Sequence, residues 1–167
     1  VTKRKKAEDD LKRSNERLEN AQRIARLGSW DWDIEKDELH WSDEIYRMFG
    51  VSPEDFGATY EAFLSFVHPE DRMSVHRSVT EALTLRKPYS IEHRILLADG
   101  TSKVVYEQGE VRFNEAGSPV AMSGTVQDIS ERKQIEEQLR LYTEHLRELV
   151  EERTSELNGL NEKLKFE

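Results

Sequence analysis

Residues 89–130 read YSIEHRILLADGTSKVVYEQGEVRFNEAGSPVAMSGTVQDIS, and the spacing of turns and alternating residues in this stretch decides the fold. Ile91, His93 and Ile95 share one face at a period of two, which predicts a half-buried strand. Ala98-Asp99-Gly100-Thr101 follows as a hairpin turn, because Asp-Gly supplies the positive φ angles of a tight connection. Residues 104–113 predict the next strand, NEAGSP at 114–119 a second turn, and residues 120–129 a last strand. Upstream, Trp30 and Trp32 alternate with Asp31 and Asp33, and Leu39 and Trp41 repeat the pattern after a polar turn at Lys36-Asp37. Short helices fill the middle. Ser42 caps one that carries Ile45, Met48 and Phe49 and closes at Gly50; Ser52-Pro53 opens a helical turn; Thr59 starts another with Phe63, Phe66 and Val67. His68-Pro69-Glu70-Asp71 opens a longer helix to about Leu85. Two strands, several helices, then three hairpin-linked strands predict the α+β class: a five-stranded antiparallel sheet with short helices on one face.

Outward from this body the composition changes. The chain has 167 residues, with 36% hydrophobic and 35% charged. Residues 28–130 hold 12 of the 14 aromatics, all four prolines and seven of the eight glycines. The segments 1–27 and 131–167 are rich in Glu, Lys, Arg and Leu, so they predict solvated or paired helices flanking one domain at 28–130. Leu11, Leu18 and Ala25 recur every seven residues in the first, with Ser14 and Ala21 between them, a narrow heptad stripe. In the second, Ile135, Leu139, Tyr142 and Leu146 are followed by Val150, Arg153, Leu157, Leu160 and Leu164. Two spacings of four meet at Leu146, a stutter in a coiled-coil seam. Asp128 and Glu131 stand three apart at the head of this helix, the spacing of a capping box.

The two flanks also resemble each other. VTKRKKAEDDLK at 1–12 aligns with ISERKQIEEQLR at 129–140, an offset of 128 residues that begins at the junction between sheet and helix. This reads as the tail of one module and the tail of the next, so that 1–27 belongs to a preceding copy and the chain is one period of a tandem array.

Several classes fall away. There is no cysteine, hence no disulfide framework, thiolate metal site or cysteine nucleophile, in keeping with a reducing compartment. No apolar run approaches the ~20 residues of a membrane span, and no apolar segment follows the basic start as in a signal peptide. Net charge is −9 overall, and −10 within 28–130. So acidic a body lacks the basic footprint of nucleic-acid binding.

The residues Gly28-Ser29-Trp30-Asp31-Trp32-Asp33, Trp41-Ser42, Phe49-Gly50, Val67-His68-Pro69-Glu70-Asp71-Arg72, Ala98-Asp99-Gly100-Thr101 and Asp128-Ile129-Ser130-Glu131-Arg132-Lys133 together resemble a PAS domain with its appended C-terminal PAC motif. The last group resembles the Asp-Ile-Thr junction that joins such sheets to signalling helices, with Ser for Thr. Residues 150–157, VEERTSEL, resemble the coiled-coil linkers of sensor histidine kinases. The resemblance implies a five-stranded PAS fold that serves sensing, dimerisation and relay, with Asp128, Ile129, Ser130 and Glu131 carrying the signal out of the sheet.

Catalytic parts are not evident: no Gly-rich phosphate loop is present. His145, followed by Leu and Arg, faintly resembles a phosphoacceptor histidine but lacks the flanking residues of such a box. Trp30, Trp32, Trp41, Phe49, Phe63, Phe66 and Tyr106 are expected to form the core or line a small-molecule cleft. The cofactor expectation is none. A Cys-dependent flavin adduct is set aside for want of a thiol, while haem stays open, because His76 sits where haem-binding PAS sensors place their iron ligand and His93 offers a second candidate. His68 reads as a structural cap and His40 as exposed, and no histidine pair has metal-ligand spacing on one helix.

The expectation is therefore a non-catalytic sensory and relay module of a cytoplasmic two-component histidine kinase. It is a homodimer through its flanking helices, with adjacent PAS and kinase domains as partners and no nucleic acid or membrane span. A haem or metabolite sensor using His76, and a phosphorelay fragment using His145, are the alternatives.

Overall fold

The computed structural model describes residues 2–166. Val1 and Glu167, the outermost positions of the two predicted flanks and of the repeat, lie outside the described residues. The element order is α1 (Lys3–Ala25), β1 (Leu27–Asp33), β2 (Glu38–Trp41), α2 (Asp43–Phe49), α3 (Tyr60–Phe66), a 3-10 turn at Pro69–Asp71, α4 (Arg72–Leu85), β3 (Tyr89–Leu96), β4 (Ser102–Phe113), β5 (Pro119–Asp128) and α5 (Ser130–Lys165). The strands form one antiparallel sheet in the order β2-β1-β5-β4-β3. This is the predicted α+β architecture. The chain divides into two compact units, one ending at Ile129 and the other beginning at Ser130.

Local chemistry explains the helix limits. Thr59 accepts a hydrogen bond from the Ala62 amide at 3.2 Å and starts α3. Gly50 closes α2 in the left-handed conformation, φ 67°. Pro69 leads the 3-10 turn, and His68 Nδ1 accepts the Glu70 amide at 3.3 Å. Ser52-Pro53 opens a turn, as expected, that goes no further. It is a single hydrogen-bonded turn, Asp55 N to Ser52 O at 3.1 Å, with the Ser52 hydroxyl donating to Asp55 Oδ2 at 2.6 Å. The side-chain bond satisfies a turn locally and competes with helix propagation.

One face of the sheet is packed. Trp30, Trp32, Leu39, Tyr89, Ile95, Val105, Met122 and Val126 bury against Ile45, Met48, Phe49, Phe63, Val75, Val79 and Ala82 from the helices. Register decides which residues share this face. Trp41, Trp30, Gly124, Gly109 and Tyr89 stand opposite one another across all five strands. Trp30 covers the two glycines and meets Tyr89 edge-on, ring centroids 6.2 Å apart. A Cβ at Gly109 would lie 2.8 Å from the Trp30 ring, and one at Gly124 2.7 Å from it. The paired glycines are the floor on which the indole rests. Tyr106 requires a correction: it is not a core residue. Its neighbours Val105 and Glu107 take the inward positions, so alternation sends Tyr106 to the opposite face, where its hydroxyl lies 2.9 Å from Ser90 Oγ.

Candidate functional site

Between the packed face and α3–α4 lies a cavity of about 30 Å3, lined by Trp30, Trp32, Leu39, Tyr60, Phe63, Val79, Tyr89, Glu107 and Met122. The predicted aromatics divide here. Trp30, Trp32 and Phe63 reach the cavity wall. Trp41, Phe49 and Phe66 form a separate cluster with Phe56, in which Trp41 stacks on Phe56 at 3.8 Å.

The wall is positioned from both ends. The Asp37 carboxylate, in the β1–β2 turn, accepts from Trp32 Nε1 at 2.9 Å and from the Tyr60 amide at 3.1 Å. It thus ties Trp32 of β1 to the start of α3. Tyr60 stacks on Trp32, centroids 5.0 Å apart, and its hydroxyl meets His76 Nδ1 at 3.3 Å. His76 itself is exposed on α4, one turn from the wall residue Val79. The structure does not bring His76 and His93 together: His93 is 3% exposed and points into the packed layer from β3.

His93 belongs instead to a buried polar group that sequence reading missed. Glu107 on β4 is 4% exposed and accepts the Tyr89 hydroxyl at 2.6 Å. His93 Nε2 lies 3.5 Å from the same Glu107 oxygen, within ion-pair range but without a directed hydrogen bond. Burial draws the His93 pKa down, and the Glu107 carboxylate more than offsets this, leaving it above the ordinary histidine value. Burial and the Glu107 charge raise both Tyr89 and Tyr60, so both phenols stay protonated. Glu107 was detectable: it occupies an inward position between Val105 and Gly109, where a charge breaks the pattern. Among the described residues no group of three or more metal-ligating side chains comes together.

The exit from the sheet is built at one edge. Leu27 on β1 pairs with Gln127 on β5. Gln127 Nε2 donates to Ala25 O at 3.2 Å, and the Asp128 amide donates to Arg26 O at 3.1 Å. The buried Ile129 donates its amide to Val104 O at 2.9 Å. The Asp128 carboxylate lies 4.0 Å from Lys103 Nζ, which also donates to Met48 O at 2.8 Å. Ser130 and Glu131 begin α5. No residue of α5 is buried; Ile135, Leu139, Tyr142, Leu146, Val150, Leu157, Leu160 and Leu164 are all exposed, as is His145.

A family profile described as PAS fold matches residues 38–126. Sensor protein FixL of Bradyrhizobium diazoefficiens is 29% identical over 124 residues, which cover 74% of this chain and 24% of that protein. A blue-light-activated histidine kinase of Brucella ovis is 30% identical over 133 residues, 80% of this chain and 26% of that protein. The probable diguanylate cyclase DgcE of Escherichia coli is 25% identical over 124 residues, 74% of this chain and 11% of that protein. The chain thus spans about a quarter or less of the length of these relatives. Among solved structures, a sensory box histidine kinase/response regulator from Burkholderia thailandensis has a TM-score of 0.65 at 27% identity, covering 78% of this chain and 98% of that one.

The cofactor expectation is overturned by these comparisons. One relative is named as light-activated, and the fold is shared with a light-oxygen-voltage domain studied with a flavin analogue, at a TM-score of 0.53 and 14% identity, covering 76% of this chain and 95% of that one. Lack of cysteine removes a sulfur adduct, but a flavin held by packing and hydrogen bonds needs no thiol. In the conformation described, about 30 Å3 does not fit a flavin or haem ring system, since pockets for such ligands run to about 300–1,000 Å3.

Proposed function

The chain belongs to the PAS family, and on that premise we propose that it is the sensory and relay module of a multi-domain two-component histidine kinase. It works as a homodimer joined by its flanking helices, in the cytoplasm, and the cavity is the sensed site. Four of its features support the reading. A relative named a sensor protein and one named a histidine kinase each match most of the chain. The 1–12 and 129–140 segments repeat, which supports reading α1 as the tail of a preceding PAS module and α5 as the link onward. No helix among the described residues is long and apolar enough to cross a membrane. The heptad stripes of α1 and α5 are exposed, including Leu11 and Leu18.

The observation that carries the proposal is the edge where the chain enters and leaves the sheet. Ala25, the last residue of α1, and Arg26, its cap, bond to Gln127 and Asp128, the last residues before Ile129 and α5. A rotation of α1, or a displacement of β4 by a change at Glu107, reaches the same few residues, because Glu107 pairs with Val126 and Val105 with Asp128. This is a two-input junction feeding one output helix. Asp128, Ile129, Ser130 and Glu131 carry that output.

Light scattering of the purified chain at high micromolar concentration tests the assembly. Twice the 19.6 kDa chain mass is expected, and removal of residues 1–27 weakens the dimer. A monomer at that concentration refutes the proposal.

A further inference from the structure

The cavity wall is chemically selective. Five aromatic residues surround it, Trp30, Trp32, Tyr60, Phe63 and Tyr89, and the one acidic wall residue is Glu107. A carboxylate this buried is retained only with compensation, and an apolar residue of similar size fills such a position at lower cost. Tyr89 supplies a hydrogen bond, and among the described residues the one side chain within 4 Å of the carboxylate that can carry a positive charge is His93, at 3.5 Å. The other groups facing the pair are Tyr60 from α3, with His76 of α4 behind it, and Asp71 at the head of α4, which acts on His93. None of these is a fixed cation. The site thus has a place for one positive charge beside Glu107, and five aromatic residues line it.

Resting on the sensory reading of the cavity, we propose that it binds a small ammonium-type cation, held by Glu107 and the aromatic wall, which replaces the charge on His93. Ring quadrupoles attract ammonium and methylated ammonium groups. An anion meets the Glu107 charge, and a neutral apolar molecule leaves it without function. A water-sized group needs about 10–15 Å3 of such room, so the cavity of about 30 Å3 admits an ammonium group with a methyl or two and excludes long chains. No bond is made or broken beyond proton release: with the cation bound, the His93 proton passes to solvent. His93 acts through Glu107 and is a positioning residue.

Methylammonium chloride is the probe, titrated into the intact chain against potassium chloride at equal ionic strength. Tryptophan fluorescence reads the wall, and calorimetry in two buffers of different ionisation enthalpy reads the proton. Saturable binding in the millimolar range is expected, as a ligand of so few atoms allows, with net proton release. Glu107→Gln weakens binding at least about tenfold. Should that variant fail to fold, Tyr60→Ala, which removes a wall ring and leaves the buried pair, decides the matter with a several-fold loss. Equal responses to methylammonium and potassium overturn the proposal, as does undiminished binding in the folded variants or binding without proton release. Saturation by acetate or benzene alone overturns the cation and leaves the sensory reading standing. Silence towards every probe, with a monomer by light scattering, removes both.

Discussion

Glu107→Gln separates the charge of the buried pair from its shape. Glutamine keeps a carbonyl oxygen for the Tyr89 hydroxyl, now 2.6 Å from Glu107 Oε2, but gives His93 nothing to offset its burial. In the native chain His93 holds its proton more tightly folded than unfolded. The stability it contributes is therefore complete below the ordinary histidine value of about 6.5 and is lost as pH rises through the raised folded value. In the variant, burial dominates and draws the folded value below the unfolded one. The sign then reverses: stability is complete above about 6.5 and falls as pH drops through the lowered value. Breaking one half of a buried pair costs about 3–5 kcal/mol while the other half stays charged. With His93 neutral, the loss shrinks to about 1.5–3 kcal/mol, the worth of a hydrogen bond to a charged group. Urea unfolding of both proteins at intervals from about pH 5 to about pH 8, with His93 followed by NMR, measures both effects. Parallel stability profiles, or a His93 titration at the same pH in both proteins, refute the reasoning.

Three other substitutions follow from the structure. The Arg94 side chain and amide clasp Asp71, at 2.8 and 3.0 Å to Oδ2 and 2.8 Å to Oδ1, and the Arg94 hydrogen bonds hold the Asp71 pKa at about 2. Asp71→Asn costs about 1–2 kcal/mol after allowing for solvent screening. Native stability falls by the same amount as pH drops from about 4 to about 2, which acid titration of the melting temperature checks. Gly124→Ala drives a methyl group into the Gln108 carbonyl and to within 2.7 Å of Trp30, at a cost of about 3 kcal/mol or more; Gly109→Ala, with Trp30 at 2.8 Å and Ser123 O at 2.9 Å, costs less. The reverse order in denaturant melts contradicts the account of the Trp30 floor.

Much of this was legible from the order of residues. Alternation and Asp-Gly turns placed the sheet, and the length of the apolar-striped flanks placed both long helices within two residues of their ends at Lys3–Ala25 and Ser130–Lys165. Pairing across strands was not legible, because register is fixed by contacts distant in sequence. The opposition of Gly109 and Gly124 beneath Trp30 is invisible for the same reason. The faces of Tyr106 and Glu107 follow from alternation with Val105, which puts the charge inward and the aromatic outward, against the usual preference of the two residue types. His76 carried weight from its position in a helix. Its exposure follows from the α4 face that Val75, Val79 and Ala82 bury, which a stricter count of helical phase separates from residue 76.

The relay account stands or falls on what α5 does with its exposed stripe. Single cysteines introduced from residue 139 to residue 164 in this cysteine-free chain, each tested for disulfide crosslinking in solution, read the seam directly. Crosslinking maxima at 139, 142, 146, 150, 153 and 157 are predicted, a paired helix with two adjoining spacings of four at Leu146 and a charged Arg153 in the seam. Uniform, weak crosslinking without periodicity, or an unbroken seven-residue period through the stretch, contradicts it.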